Sequence, residues 1–251
     1  MIRELLVSVL GLEHRENTGP ENVEFLQAKN YGPKRTKAIT AVVLHATDGP
    51  EGPKSADNVA GWFATQPANG SPYPPEWDQR YKPKDGKFHG TSAHYVVGDK
   101  KIIQTVNESD EAWHASSANP FSIGIELVGY AKQSAEEWND DYSRAQLHLA
   151  ARLTAAICKT YGIPPERLPA EDLKSGKRIG ITGHSDVVQG LEGGHGHYDP
   201  GAGFPWAQFL TMVRGYLMGG PTSPPSDDSS LLGVLVIGMG VGLATYFVTR
   251  S

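Results

Sequence analysis

A single cysteine, Cys158, stands in 251 residues, so the chain can form no internal disulfide and no cysteine-rich metal site. Excess positive charge is also missing. Against 23 Lys and Arg there are 28 Asp and Glu, a net charge of −5 that argues against nucleic acid as a partner, because phosphate contacts need clustered cations. The densest basic stretch, Lys34, Arg35 and Lys37, is short enough to read as a solvated loop. A secretory leader is not legible at the N-terminus: the apolar piece 5–10 is short, Glu4 interrupts the basic start, and no small-residue cleavage site follows. Internal repeats are absent too.

Long apolar runs are scarce, with one exception. Residues 231–248 form 18 consecutive positions without a charge, just enough to cross a bilayer as a helix. A Gly, Pro, Ser and Asp linker over 219–230 separates this run from everything before it, which argues against a buried core helix. The expected organisation is a lead-in over 1–38, a folded domain over 39–218, the linker, and a transmembrane helix over 231–248. Gly238 and Gly242 fit the small-xxx-small pattern of helix pairing, which makes a homodimer through the span an expectation. Arg250 just beyond the run places the C-terminus on the cytoplasmic side by charge asymmetry.

Within the domain, strands and helices alternate. The run 39–45 is β-branched and apolar throughout, as in a strand covered on both faces. A helix with Ser55 as N-cap follows over 55–63. Residues 66–91 are rich in Pro, Gly, Tyr and Lys and show no periodicity; a loop this long is functional or disordered. Strands are expected over 92–97, 101–106 and 122–128, with a turn at Asp99-Lys100. A helix over 136–161 stops at Gly162, before Pro164 and Pro165. In it Leu147, Ala151, Thr154 and Cys158 share one face, making Cys158 core filling and not a nucleophile. A short strand over 179–182 and a helix over 206–216 complete an α/β fold, a central mixed sheet flanked by helices.

Chemistry concentrates at a few residues. His45 ends the first buried strand, His184 follows the 179–182 strand, and Asp199 sits in His197-Tyr198-Asp199-Pro200-Gly201. A histidine at a strand end is structural as readily as it is a ligand, but two imidazoles and a carboxylate together suit Zn²⁺ with a fourth position left for water. In Ser122-Ile123-Gly124-Ile125-Glu126-Leu127-Val128, alternation sets Glu126 opposite the apolar face, beside Gly124, whose missing side chain leaves room. A carboxylate there either faces solvent from an edge strand or serves a polar partner such as a metal-bound water.

Six segments then occur in order: Val43-Leu44-His45-Ala46-Thr47, Ser92-Ala93-His94-Tyr95-Val96, Ala112-Trp113-His114-Ala115, Ser122 to Leu127, Gly183-His184-Ser185-Asp186 and Asp199-Pro200-Gly201. Together they resemble the type 2 N-acetylmuramoyl-L-alanine amidases, a group that includes phage lysozyme-type amidases and peptidoglycan-recognition proteins. The resemblance covers roughly residues 20–217. It implies zinc held by His45, His184 and Asp199, with Glu126 as catalytic carboxylate and His197 sharing the developing oxyanion. The tyrosine that some members place before the second block's histidine is Ala93 here, and the lysine often found two before the last ligand is His197. His94 and His114 either line the substrate cleft or support the ligands. The insertion around 67–91 is longer than the family's usual one.

The resemblance implies hydrolysis of the bond between N-acetylmuramic acid and L-alanine in peptidoglycan. Two rivals stand beside it: a peptidoglycan-binding module without catalysis, which predicts a missing ligand where none is missing, and a zinc peptidase acting within the stem, whose His-Glu-x-x-His helix is absent. With 231–248 in a bilayer, the enzyme is membrane-anchored, bacterial or virion, and faces the cell wall when active. The full chain is therefore expected to need detergent for extraction, while residues 1–218 stay in the soluble fraction. Full-length protein that remains soluble after ultracentrifugation would remove the anchor.

Overall fold

The computed structural model describes residues 23–194 and 196–220. The apolar run 231–248, its paired glycines and all but the first two linker residues lie outside the described residues. Among the described residues no helix is long and apolar enough to cross a membrane.

Six strands form one mixed sheet: β1 (Glu24–Phe25), β2 (Ala41–Ala46), β3 (Tyr95–Val97), β4 (Ile102–Gln104), β5 (Ser122–Leu127) and β6 (Gly180–Gly183), in the order β1-β4-β3-β5-β2-β6. β2 runs parallel to both β5 and β6, and all six of its residues are buried, as its unbroken apolar run requires. Among the described residues the α-helices are α1 (Ser55–Thr65), α2 (Asp141–Tyr161), α3 (Ala170–Lys174), α4 (His184–Leu191) and α5 (Trp206–Leu217). Val42 and Leu44 of β2, Ile123, Ile125 and Leu127 of β5 and Ile181 of β6 pack with Leu147, Ala151, Leu153 and Cys158 of α2 and Phe209 and Val213 of α5. Across the sheet, Ala41 and Val43 meet Leu173 of α3 and Val187 of α4. Beside them, α1 lays Ala56, Ala60 and Phe63 over Val96 and Ile103. Cys158 is 2% exposed, and burial pushes its thiol up to about 12, which suits core filling.

Several expected elements shift. The helix expected from 136 is broken. Ser134 and Glu137 exchange hydrogen bonds around a 3₁₀ turn at Glu137–Asn139. Asp140 then turns extended so that its carboxylate accepts from the Ser143 N–H at 2.7 Å, starting α2 afresh. Ser55 is the first residue of α1 and not its cap; Lys54 holds that place without a side-chain bond. The lead-in is part of the fold: β1 adds an edge strand beside β4, so the folded unit begins before residue 39. Arg35 is also not solvated. Its guanidinium donates to the carbonyls of Glu108, Asn119 and Ser122 at 2.7, 2.9 and 2.7 Å, tying the lead-in to the start of β5, while Lys34 and Lys37 stay exposed.

α2 ends as expected, with Gly162 left-handed at φ 67° and its N–H bonded to the Cys158 carbonyl. A Cβ at Gly162 would touch nothing within 4 Å, so any cost of adding one is backbone strain alone. Gly162→Ala should therefore lose about 1–2 kcal/mol of stability, and Gly162→Asn less, in denaturant unfolding. Equal stabilities for glycine and alanine would remove this account of the helix end.

Candidate active site

The parallel register places His45 beside Glu126 and Val43 beside Gly124, with all four side-chain positions on one sheet face. The next strand over, β6, runs straight into α4, whose first residue is His184. Three of the candidate residues thus gather at the carboxyl ends of adjacent parallel strands, where open α/β sheets leave room for ligands. Asp199 arrives from the loop before α5. Its carbonyl accepts from the Ser185 N–H at 2.9 Å, fastening the loop to the first turn of α4. Gly183 and Gly201 permit that approach: a Cβ on Gly183 would lie 2.7 Å from Pro200, and one on Gly201 would lie 1.7 Å from the Ala131 carbonyl.

The side chains converge closely. His45 Nδ1 lies 3.0 Å from Asp199 Oδ2, and His184 Nδ1 lies 3.3 Å from Asp199 Oδ1. One potential ligand atom from each of His45, His184 and Asp199 lies within 4.8 Å of the others, not far from the roughly 3.3 Å edge of a tetrahedron with ~2 Å bonds. All three residues are buried. Burial pushes the His45 imidazole down, toward the neutral form that binds metal. Burial works the other way on Asp199, yet its contacts with His184 and His45 outweigh it and hold the carboxyl well below the usual range.

A chain of hydrogen bonds behind His45 favours one tautomer. Ser122 Oγ donates to the Ala118 carbonyl at 2.7 Å, so its proton is committed there. His114 Nε2, 3.3 Å from that oxygen, must then donate, and His114 Nδ1 accepts from His45 Nε2 at 3.0 Å. Neutral His45 is left with a lone pair on Nδ1, aimed at a carboxylate oxygen 3.0 Å away. In that tautomer two acceptors face each other, a conflict that a cation between them removes; without the cation, the other tautomer donates from Nδ1 to the Asp199 carboxylate, one of the contacts that hold that carboxyl low. The donor set and this conflict together fit a zinc ion held by His45, His184 and Asp199.

An open cleft of about 590 Å³ lies over these residues, lined also by Glu126, His114 and His197. Burial, with a smaller contribution from Asp199, pushes the Glu126 carboxyl up to about 8. His197 stacks on His184 with ring centres 4.0 Å apart, and its Nδ1 is 3.7 Å from Asp199 Oδ1. Burial and the neighbouring His184 push its imidazole down. His94 is fully buried and does not reach the cleft: its Nδ1 accepts from the Gly124 N–H at 2.9 Å, and Arg35 and the Asp110 carbonyl meet its Nε2. Of the two histidines expected at the cleft or in support, His114 lines the cleft and lies 3.0 Å from His45 Nε2, while His94 stays behind it, meeting the His114 ring edge-on at 5.6 Å.

The sequence matches the N-acetylmuramoyl-L-alanine amidase family over residues 35–202, more than half of the chain. The chain belongs to this family. It is 33% identical over 131 residues to N-acetylmuramoyl-L-alanine amidase A of Achromobacter lyticus, covering 49% of this chain and 69% of that protein. It is 31% identical over 133 residues to the 1,6-anhydro-N-acetylmuramyl-L-alanine amidase AmpD of Haemophilus influenzae, covering 49% of this chain and 59% of that one. In fold it is similar to the hydrolase AmiA of Staphylococcus aureus, with a TM-score of 0.55 at 17% identity over 89% of this chain and 95% of that one.

Sequence reasoning on this amidase-family chain missed Ser122 and Arg35. Ser122 carries a weak signal, a polar residue opening a buried strand; its role depends on a histidine eight positions back. Gly124 ties the two together, because a Cβ there would lie 2.5 Å from His114 Cγ. Gly124→Ala should push His114 aside and leave His45 unsupported. Zinc affinity is expected to fall about 10- to 100-fold, the usual loss when a ligand's hydrogen-bond partner is removed, in competition titrations with a chelator. Unchanged affinity would separate His114 from the metal site.

Proposed function

We propose that this chain is a zinc-dependent hydrolase of the amide between N-acetylmuramic acid and L-alanine in peptidoglycan. The carrying observation is that His45, His184 and Asp199 converge in one cleft with Glu126 beside them. The names of the relatives from Achromobacter lyticus and Haemophilus influenzae support the substrate. Zinc, when bound, supplies a Lewis acid that polarises the scissile carbonyl and acidifies water. Glu126 then has one task at two moments. Its carboxylate takes a proton from the attacking water and delivers it to the departing alanine nitrogen. A carboxyl pushed up to about 8 is mostly protonated at neutral pH, so this task needs the nearby cation, which favours the charged form.

His197 sits at the cleft rim, and its lowered imidazole is neutral near pH 7. It donates one N–H to the oxygen on which charge develops. His114 and Ser122 hold the proton on His45 Nε2, keeping Nδ1 free as a ligand atom. With 231–248 as an anchor, hydrolysis takes place at the boundary between membrane and wall.

The test is to treat peptidoglycan with the full chain and identify the fragments by mass spectrometry. Free stems beginning with L-alanine are expected; cuts within the stem would make the enzyme a peptidase, and binding without cuts would make it a non-catalytic module. Chelation should abolish activity and Zn²⁺ restore it. Glu126→Gln should lower kcat about 10²- to 10⁴-fold with zinc retained. A loss of zinc in that variant would make Glu126 a ligand or a structural support, and full activity in His45→Ala would sink the mechanism.

A further inference from the structure

The segment between α1 and β3 is ordered. Phe88 N–H donates to the Ser71 carbonyl and the Phe88 carbonyl accepts from the Gly70 N–H, both at 2.8 Å, and Tyr73 N–H reaches the Gly86 carbonyl at 2.9 Å. At its base, Gln66 donates to the Thr91 carbonyl at 2.6 Å and accepts from the Thr91 N–H at 3.0 Å. Such a ladder gives the insertion a fixed shape.

That shape carries an aromatic cluster to the cleft. Trp62, on α1, lines the same cleft as the metal site yet remains 42% exposed. Trp77 packs against it at 5.4 Å, and Phe88, itself buried, supports both at 6.3 and 5.7 Å. Tyr73 meets Trp77 edge-on at 5.5 Å. Two tryptophans held in place by neighbours, one of them exposed inside a cleft, are costly to leave in water and mark a surface that a ligand covers.

We propose that Trp62, braced by Trp77 and the insertion, is a platform for the sugar rings of the glycan strand. The inference rests on the amidase reading. Its substrate has two unlike halves, sugar on one side of the scissile bond and peptide on the other. A second hollow, about 530 Å³, opens past Tyr198 and is lined by Lys132, Gln133, Ser185 and Gln189. Those donors and acceptors suit the amides and carboxylates of a peptide stem. The Trp62 wall offers a broad apolar face instead, matching the C–H-bearing face of a pyranose and leaving its hydroxyls in water. The two hollows share Ala131 and Tyr198 in their walls, so the sugar and the peptide of one substrate have neighbouring surfaces of unlike chemistry.

The experiment is calorimetric titration of the full chain with two probes. One is a peptide-free oligosaccharide of alternating N-acetylglucosamine and N-acetylmuramic acid; the other is the free stem peptide. Trp62→Ala should weaken the oligosaccharide at least about tenfold, the scale of one aromatic anchor, and shift the ratio of the two affinities toward the peptide. Trp62→Phe should recover most of the loss, and Trp77→Ala should fall between. No oligosaccharide binding by wild type at millimolar concentration, or equal binding by Trp62→Ala, overturns the platform. A loss confined to the stem peptide would give the Trp62 wall to the peptide and overturn it as well. Sugar affinity is read without turnover, so absence of stem release in the peptidoglycan assay would count against the amidase reading alone.

Discussion

The alignment of β2 with β5 governs the rest of the structure. In a parallel pair, a slip of one residue sends every side chain to the opposite face. Here that slip would bury Glu126 among Ile123's neighbours and put Ile125 or Leu127 beside His45. The register is protected from both sides: Ile123, Ile125 and Leu127 have only the α2 and α5 core to enter, while the face with Gly124 must accept the His114 ring. The same apolar packing that stabilises the domain therefore also aims its polar residues. β6 adds His184 by the same rule, its buried residues running into a helix whose first position is that histidine.

Charge is arranged around one buried anion. Asp199 is held ionised by contacts with two imidazoles, while burial raises Glu126 and lowers His45, His114 and His197. Each of these directions favours the neutral form of a group near an unneutralised carboxylate. Such an assembly is poor at stabilising a fold, since buried polar groups with conflicting lone pairs cost free energy. It is well suited to a divalent cation, which turns the acceptor conflict at His45 into coordination and draws Glu126 toward its charged form. Local rules of stability are broken where the chemistry needs them broken.

How much was legible beforehand follows from how local each signal is. The placement of His45, Glu126 and Gly162 was readable because each signal lies in its own neighbourhood: the end of an apolar run, a carboxylate out of phase with its strand, a glycine after a helical pattern. Cys158 was readable from helical spacing. Arg35 was misread because its charge run suggested water, whereas its partners are three carbonyls more than seventy residues away. The start of α2 was misread because helical composition continues through Asp140, and only the competition between caps at Ser134 and Asp140 decides where the helix begins. The insertion over 66–91 showed no periodicity, since its order comes from cross-loop backbone bonds and aromatic contacts.

The loop that carries Asp199 shows how closely backbone packing and chemistry are joined. Gly201 is left-handed at φ 98°, and its α-carbon lies so near the Ala131 carbonyl that no side chain fits; a Cβ on Gly203 would likewise lie 2.1 Å from the Gln133 carbonyl. Residues 131–133 follow β5, the strand of Glu126, so the segment holding Asp199 is docked on the continuation of the strand holding Glu126. On the other side, Ser185 fastens the same loop to the start of α4, next to His184. Asp199 is thereby positioned by backbone contacts to both of its chemical partners' elements. A displacement of this loop would shift Asp199 against His45, His184 and Glu126 together, which makes Gly201 and Gly203 part of what holds the candidate site in shape.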